Sequence, residues 1–483
     1  MGYSLTHPRM RCLKAALHGA AGALLVAVVL LFSVQQAQAA IFGEFTIKDE
    51  AELGQKIKAS VRNSFPLVED PEIVAYTGEI FTRLMKQVPP QPFDYSINVI
   101  RHNALNAFAT PGGNLFLFTG LLLAMDHEAE VAGVLAHEIA HASQRHIANR
   151  IAQTQRISLL SLAGAILGGL VGGEGGSALM AGSMAAAQTA QLKYSRADET
   201  DADHVGMSYL VKAGYPPRGM VGAFEKIRRQ QWLLGSSIPP YLSSHPGVQE
   251  RINYISTRIN MLPASVRNRK YDDAKFLRIQ ALIRARYSDP SQAMTAFAKQ
   301  ASDTGIQRCY AHMGMGMVHS RQNRIREAES AFEKALSCAP NDALVVREAG
   351  IFQYAKGTSA KAQKHLAKAM AENPGDYLAQ FYYARLQADA GHLDTALAHY
   401  KRILRHLPDD PEIHHFYAQT LGRNKQLFLA HVHMAYSALY ANDRQRTVRS
   451  LARAKEAAQT PEDQAELKIL EEALRERDAL FKK

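Results

Sequence analysis

Pro340, Pro374 and Pro408 recur every 34 residues, and each is followed by a polar turn: Asn341-Asp342, Gly375-Asp376 and Asp409-Asp410. Other positions keep the same step. Ala328, Ala362 and Ala396 share one register, Phe332, Leu366 and Tyr400 a second, and Gly316, Gly350 and Ala384 a third. A period of this length has room for two helices and two turns. Proline opens each unit, and small residues stand where helices must come close. Such a segment can only bury its apolar face by stacking one hairpin on the next.

Period and register together indicate tetratricopeptide repeats. Ala293 and Phe297 hint at a degenerate repeat upstream, and helical patterns through Arg477 would extend and cap the array. The chain is 483 residues long, too many for one ordinary core, so a second domain precedes the repeats. Leu262-Pro263 and the charged stretch Arg267 to Asp273 mark the boundary. The expected plan is a leader at 1–39, a first domain at 40–265 and the repeat domain at 266–483. The expected fold class is mainly α: an α+β first domain with a small sheet, then an all-α solenoid. With 47% hydrophobic and 21% charged residues, the composition is that of a globular chain, not a disordered one.

The leader carries Arg9, Arg11 and Lys14 without an acid, then an apolar run Ala15 to Val34, then small residues ending in Ala37-Gln38-Ala39. This is the pattern of a secretory signal cleaved near Ala39. An uncleaved anchor is the alternative, since the run approaches the length that spans a bilayer. Removing three positive charges takes the formal balance from +11 to +8. A basic exported chain points to an anionic membrane surface touched peripherally, to acidic partners, or simply to a solubilising charge, and away from nucleic acid. Cys12 leaves with the leader. Cys309 and Cys338 remain, too few for a disulfide scaffold; they begin one predicted helix and end the next, which leaves a disulfide between them open.

In the first domain, helical spacing runs from Glu50 to Val61 and from Ile73 to Val88. Tyr95 to Ile100, Ala107 to Thr110 and Asn114 to Phe118 read as strands, the last two joined by a Pro111-Gly112-Gly113 turn. Asp126 is the expected N-cap of the next helix, with Glu128 and Glu130 at its positive end. Val131, Val134, Leu135 and Ile139 suit burial of that helix. Residues 158–190 are rich in Ala, Gly, Ser and Leu, and read either as a buried helical hairpin or as a mobile apolar flap near the active site or membrane.

The buried helix carries His137-Glu138-Ile139-Ala140-His141. Imidazoles four residues apart share a helix face and can reach one zinc ion, while Glu138, one step round, can reach a water on that ion and act as general base. No third His follows at the metzincin spacing. Glu199 and Asp203, four apart in a helical context, supply the missing parts: Glu199 as third ligand, Asp203 as hydrogen-bond partner to a ligand imidazole. One zinc ion per chain and zinc-dependent peptide hydrolysis are the expectation. A non-proteolytic adaptor with a vestigial zinc site is the alternative. His146 and His204 are not at ligand spacing and read as packing or supporting residues.

These motifs, with Ser195-Arg196-x-x-Glu199-x-x-Ala202-Asp203 and the fused repeats, resemble the BepA/YfgC branch of the HtpX-related gluzincin peptidases over nearly the whole mature chain. The resemblance implies a periplasmic protease that degrades stalled or unfolded outer-membrane proteins and assists others as a chaperone, with repeats that contact the outer-membrane assembly machinery. It also implies that Asn106, Ala107, Phe108 and Ala109 form an active-site edge strand that pairs with substrate. Ser244-His245-Pro246 followed by Arg251 resembles the family's His-Pro segment; by that likeness His245 stabilises an oxyanion or occupies the open zinc position in a latent state.

Overall fold

The computed structural model describes residues 45–154, 194–233 and 240–481; the leader and the whole of 158–190 lie outside the described residues. No helix among the described residues is long and apolar enough to cross a membrane. The described residues fall into two compact units, one drawn from Met1–Glu69 with Val74–Tyr271, the other from Asp70–Ile73 with Asp272–Lys483.

The first unit runs α1 (Ile47–Ser64), α2 (Pro71–Met85), β1 (Ser96–Ile100), β2 (Ala107–Thr110), β3 (Asn114–Phe118), α3 (Thr119–Ala124), α4 (Glu128–Ser143), α5 (His146–Thr154), α6 (Arg196–Lys212), α7 (Arg218–Leu233), α8 (Pro240–Ser244) and α9 (Val248–Asn260). The sheet order is β1-β3-β2, with β1 parallel and β2 antiparallel to β3. Leu53, Ile57 and Val61 form one stripe along α1 that packs with Phe108, Phe116 and Phe118 of the sheet. Helix α4 packs against α6, α7 and β2. Val131, Val134, Leu135 and Ile139 are all fully buried, each contributing about 1.5–3 kcal/mol. The start of α4 differs from expectation by one residue. His127, not Asp126, is the N-cap, and the Glu130 carboxylate reaches back to accept the Asp126 amide at 2.7 Å, freeing Asp126 to pair with Lys226 at 2.8 Å.

Helix α10 (Ala264–Arg267) closes the first unit, and the second unit runs α11 (Ala274–Tyr287), α12 (Pro290–Gln300), α13 (Ile306–Arg321), α14 (Ile325–Cys338), α15 (Ala343–Ala355), α16 (Ser359–Glu372), α17 (Tyr377–Asp389), α18 (Leu393–Leu404), α19 (Pro411–Arg423), α20 (Leu427–Tyr440), α21 (Arg444–Ala457) and α22 (Pro461–Phe481). The polar turns do the same job in each repeat. Asp342, Asp376 and Asp410 are N-caps whose carboxylates accept the amides of Val345, Ala379 and Ile413, each at 3.0 Å. The small and bulky registers face each other: a Cβ on Gly316 would lie 2.8 Å from the Phe332 ring, and one on Gly350 would lie 2.9 Å from Leu366. Cys309 of α13 and Cys338 of α14 form a disulfide, with Cα atoms 5.4 Å apart. The expectation of a mainly helical chain with a small sheet and a helical-repeat region therefore holds.

Candidate metal centre

The i, i+4 spacing on α4 brings the His137 and His141 rings to 4.5 Å, with their Nε2 atoms 3.0 Å apart. Helix α6 supplies Glu199, whose Oε2 is 3.5 Å from His137 Nε2 and whose Oε1 is 3.4 Å from His141 Nε2. Its approach depends on Gly206, where a Cβ would meet the Ala136 carbonyl oxygen at 2.9 Å and the His137 Cα at 3.1 Å. His245, just past α8, brings Nδ1 within 3.3 Å of His137 Nε2 and 3.0 Å of Glu199 Oε1. All four side chains are buried, and these four offer one ligand atom each to a common point.

The donor set fits a tetrahedral ion. Ligand atoms held about 2.0–2.2 Å from such a centre lie roughly 3.3 Å from one another, close to the separations found here. The charge fits too. Three carboxyl groups, those of Glu138, Glu199 and Asp203, are buried in the same part of the fold as the guanidinium of Arg251, an acidic cluster suited to a cation. Burial opposes ionisation of Glu199, but His245 and Arg251 beside it, with hydrogen bonds from His137 and His141, hold its carboxyl well below the usual range.

Asp203 Oδ1 is 2.9 Å from His137 Nδ1, so the nitrogen facing away from the ligand cluster is the one it engages. Burial and Arg251 push the His137 imidazole down, yet hydrogen bonds to Asp203 and Glu199 outweigh them and carry it up to about 9. Arg251 of α9 grips Asp203 through Nε at 2.8 Å and Nη2 at 2.7 Å, reaches Glu199 through Nη1, and lies 4.3 Å from the centre of the Phe224 ring. Tyr254 donates to the same Asp203 carboxylate. Glu138 is buried with neither carboxylate oxygen in a hydrogen bond among the described residues, and burial pushes its carboxyl above the ordinary value. Its Oε1 is 3.5 Å from His245 Nε2.

Two aromatic neighbours had no signal in the sequence. Tyr194 stacks on His141 at 3.7 Å, and Tyr241 stacks on His245 at 4.3 Å. Asn106 to Ala109 are buried at and just before β2, which pairs with β3 alone among the described strands; a pocket lined by Ala109, Thr110, Pro111, His141, Arg145 and Tyr194 adjoins it. His204 stands away from the ligands, stacked on Tyr254. His146 does not: its Nδ1 is 2.9 Å from His141 Nδ1.

Residues 75–259, which hold every one of these groups, match the profile of Peptidase family M48. The chain carries an M48 peptidase domain. Residues 353–420 match a Tetratricopeptide repeat profile, so the resemblance drawn from the motifs agrees with both matches. The chain is 27% identical over 303 residues to the beta-barrel assembly-enhancing protease of Escherichia coli (strain K12), covering 62% of this chain and 61% of that protein. It is 25% identical over 371 residues to the Yersinia pestis protein of the same name, 76% of each. The mitochondrial metalloendopeptidase OMA1 of Arabidopsis thaliana is 34% identical over 157 residues, 32% of this chain and 30% of that protein. The match thus spans about three fifths of the Escherichia coli relative's length.

Proposed function

We propose that this chain is an exported zinc-dependent endopeptidase that acts in outer-membrane protein assembly and quality control. Its substrates on this reading are unfolded or stalled outer-membrane proteins, and its repeats contact the assembly machinery. The observation that carries the reading is the convergence of His137, His141 and Glu199 beside the buried carboxyl of Glu138. The names of the Escherichia coli and Yersinia pestis relatives support the assembly role. The leader and the Cys309–Cys338 disulfide support an oxidising compartment, the periplasm. The basic balance of the mature chain suits peripheral contact with an anionic membrane.

A zinc ion held by His137, His141 and Glu199 supplies Lewis acidity toward a water and a scissile carbonyl. The chain does the rest. Glu138 takes the proton of the attacking water and hands it to the leaving amine, a task suited to a carboxyl whose affinity for a proton burial has raised. Asp203, itself clamped by Arg251, keeps the His137 proton on Nδ1 and so leaves Nε2 free to bind. On this reading the side of β2 that no described strand pairs with lies beside the pocket at His141 and receives an extended substrate. His245 Nδ1 lies beside His137 Nε2 and Glu199 Oε1, so it would be available as a fourth ligand, which supports the latent reading over the oxyanion reading.

Two outcomes follow. The purified mature chain holds about one zinc ion by elemental analysis and cleaves unfolded casein; chelation stops cleavage, and stoichiometric zinc restores it. His245→Ala raises casein cleavage by about tenfold or more, each 1.4 kcal/mol of blocking contact being worth one factor of ten. A zinc-loaded protein that leaves unfolded substrates intact even as His245→Ala would overturn the proposal.

A further inference from the structure

Helix α4 ends at Ser143, and Arg145 turns the chain through a left-handed conformation (φ 54°), latched by its Nη2 to Glu50 Oε2 at 2.6 Å. This turn swings His146, at the start of α5, back against the end of α4. Its ring then stands between two partners: Nδ1 is 2.9 Å from His141 Nδ1, and Nε2 is 3.2 Å from Asp201 Oδ2. Asp198, three residues earlier on α6, is held instead by Arg150 at 2.9 Å from Nε, which leaves Asp201 to His146.

The proton positions along this chain are fixed by a single requirement. His141 Nε2 faces His137 Nε2 and Glu199, so it must present a lone pair to bind an ion there. Its proton therefore sits on Nδ1 and is donated to His146. His146 must accept through Nδ1, so its own proton sits on Nε2 and is donated to Asp201. His137 is served differently, by the fully buried Asp203 carboxylate directly.

We propose that His146, backed by Asp201, is the positioning residue for His141: it fixes the ring's tautomer and orientation and thereby the affinity of the site for its ion. This rests on the zinc reading above, and it makes the two imidazoles unequal. His137 is held by a buried carboxylate, whereas His141 is held by a neutral imidazole whose carboxylate is 49% exposed. The site's weak side is therefore His141.

The test measures zinc affinity by competition with a chromophoric chelator, using the full chain. His146→Leu, which keeps bulk and loses the acceptor, is expected to weaken zinc binding by about 10- to 100-fold. His146→Asn, whose Oδ1 can take the place of Nδ1 as acceptor, recovers most of that loss, which a packing role alone would not allow. Asp201→Ala touches no ligand and weakens binding by about two- to fivefold. In the His146→Asn background Asp201→Ala has no further effect, because the relay is gone. The visible spectrum of the cobalt-substituted protein shifts in His146→Leu and returns in His146→Asn. Should His146→Leu not fold, Asp201→Ala in the two backgrounds decides. Wild-type affinity in His146→Leu, or an equal effect of Asp201→Ala in both backgrounds, overturns the inference while leaving the zinc reading intact. Failure of the wild type to bind zinc overturns both.

Discussion

Glu138→Gln is expected to lower casein cleavage by about 10²- to 10⁴-fold, the usual contribution of a general base, while the protein still holds one zinc ion per chain. The substitution is nearly isosteric, so the buried pocket keeps its shape. Glu138 is not one of the four groups that offer a ligand atom to the common point, so the ion has no reason to leave. What is lost is the ability to take a proton. The carboxyl is buried without a hydrogen-bond partner among the described residues, an arrangement that costs stability unless a polar guest sits beside it during turnover. For the same reason Glu138→Gln should leave the resting protein as stable as the wild type or slightly more so. Glu199→Ala gives the contrasting result, losing ion and cleavage together. If Glu138→Gln cleaved casein at the wild-type rate, Glu138 would not be the base. If neither it nor the wild type cleaved casein while both promoted assembly equally, the adaptor reading would gain.

The proposed ligands His137, His141 and Glu199 could be picked out in the sequence because their spacing is local, i, i+4 on one helix and a capped acidic helix start elsewhere, and the structure brings the three side chains together. The alternation of Tyr95 to Ile100 and the Pro111-Gly112-Gly113 turn between two short apolar runs likewise gave strands whose ends agree with the structure to within a residue. What the sequence concealed depends on the third dimension. His146 is five residues from His141, a spacing that points sideways on a continuous helix; only the left-handed turn at Arg145 brings the two rings into contact. Asp126 reads as a cap because Asp favours that position, but Glu130 takes over the capping and shifts the start by one residue. Tyr194 and Tyr241 meet the ligand rings through packing that no periodicity encodes. In the repeats, the three prolines mark the polar turns, and Asp342, Asp376 and Asp410 prove to be the caps that repeat with them.

One of those caps has a second duty, and it yields the largest stability effect expected outside the metal centre. Arg347, 1% exposed in α15, donates to Glu348 through Nε at 2.9 Å and Nη2 at 2.7 Å, and to Asp376 Oδ2 through Nη1 at 3.0 Å. It also binds Glu72 of the short segment that belongs to this unit. Arg347→Met keeps much of the volume and removes the charge, leaving the buried Asp376 with only the more distant Arg278 at 4.0 Å as a cationic partner. Losing one partner of such a network costs about 3–5 kcal/mol. The lower end applies here, because Glu348 keeps Arg286 at 2.6 Å and Asp376 keeps the Ala379 amide at 3.0 Å. At about 2–4 °C per kcal/mol for a unit of this size, the repeat transition should fall by roughly 6–12 °C. Hydrogen exchange in the full chain should show α15 and α17 opening first. Adding Asp376→Asn tests the cause: Asn still caps α17 but carries no charge, so the double variant should regain part of the loss. A double variant less stable than Arg347→Met would mean that lost packing, not the stranded carboxylate, accounts for the effect.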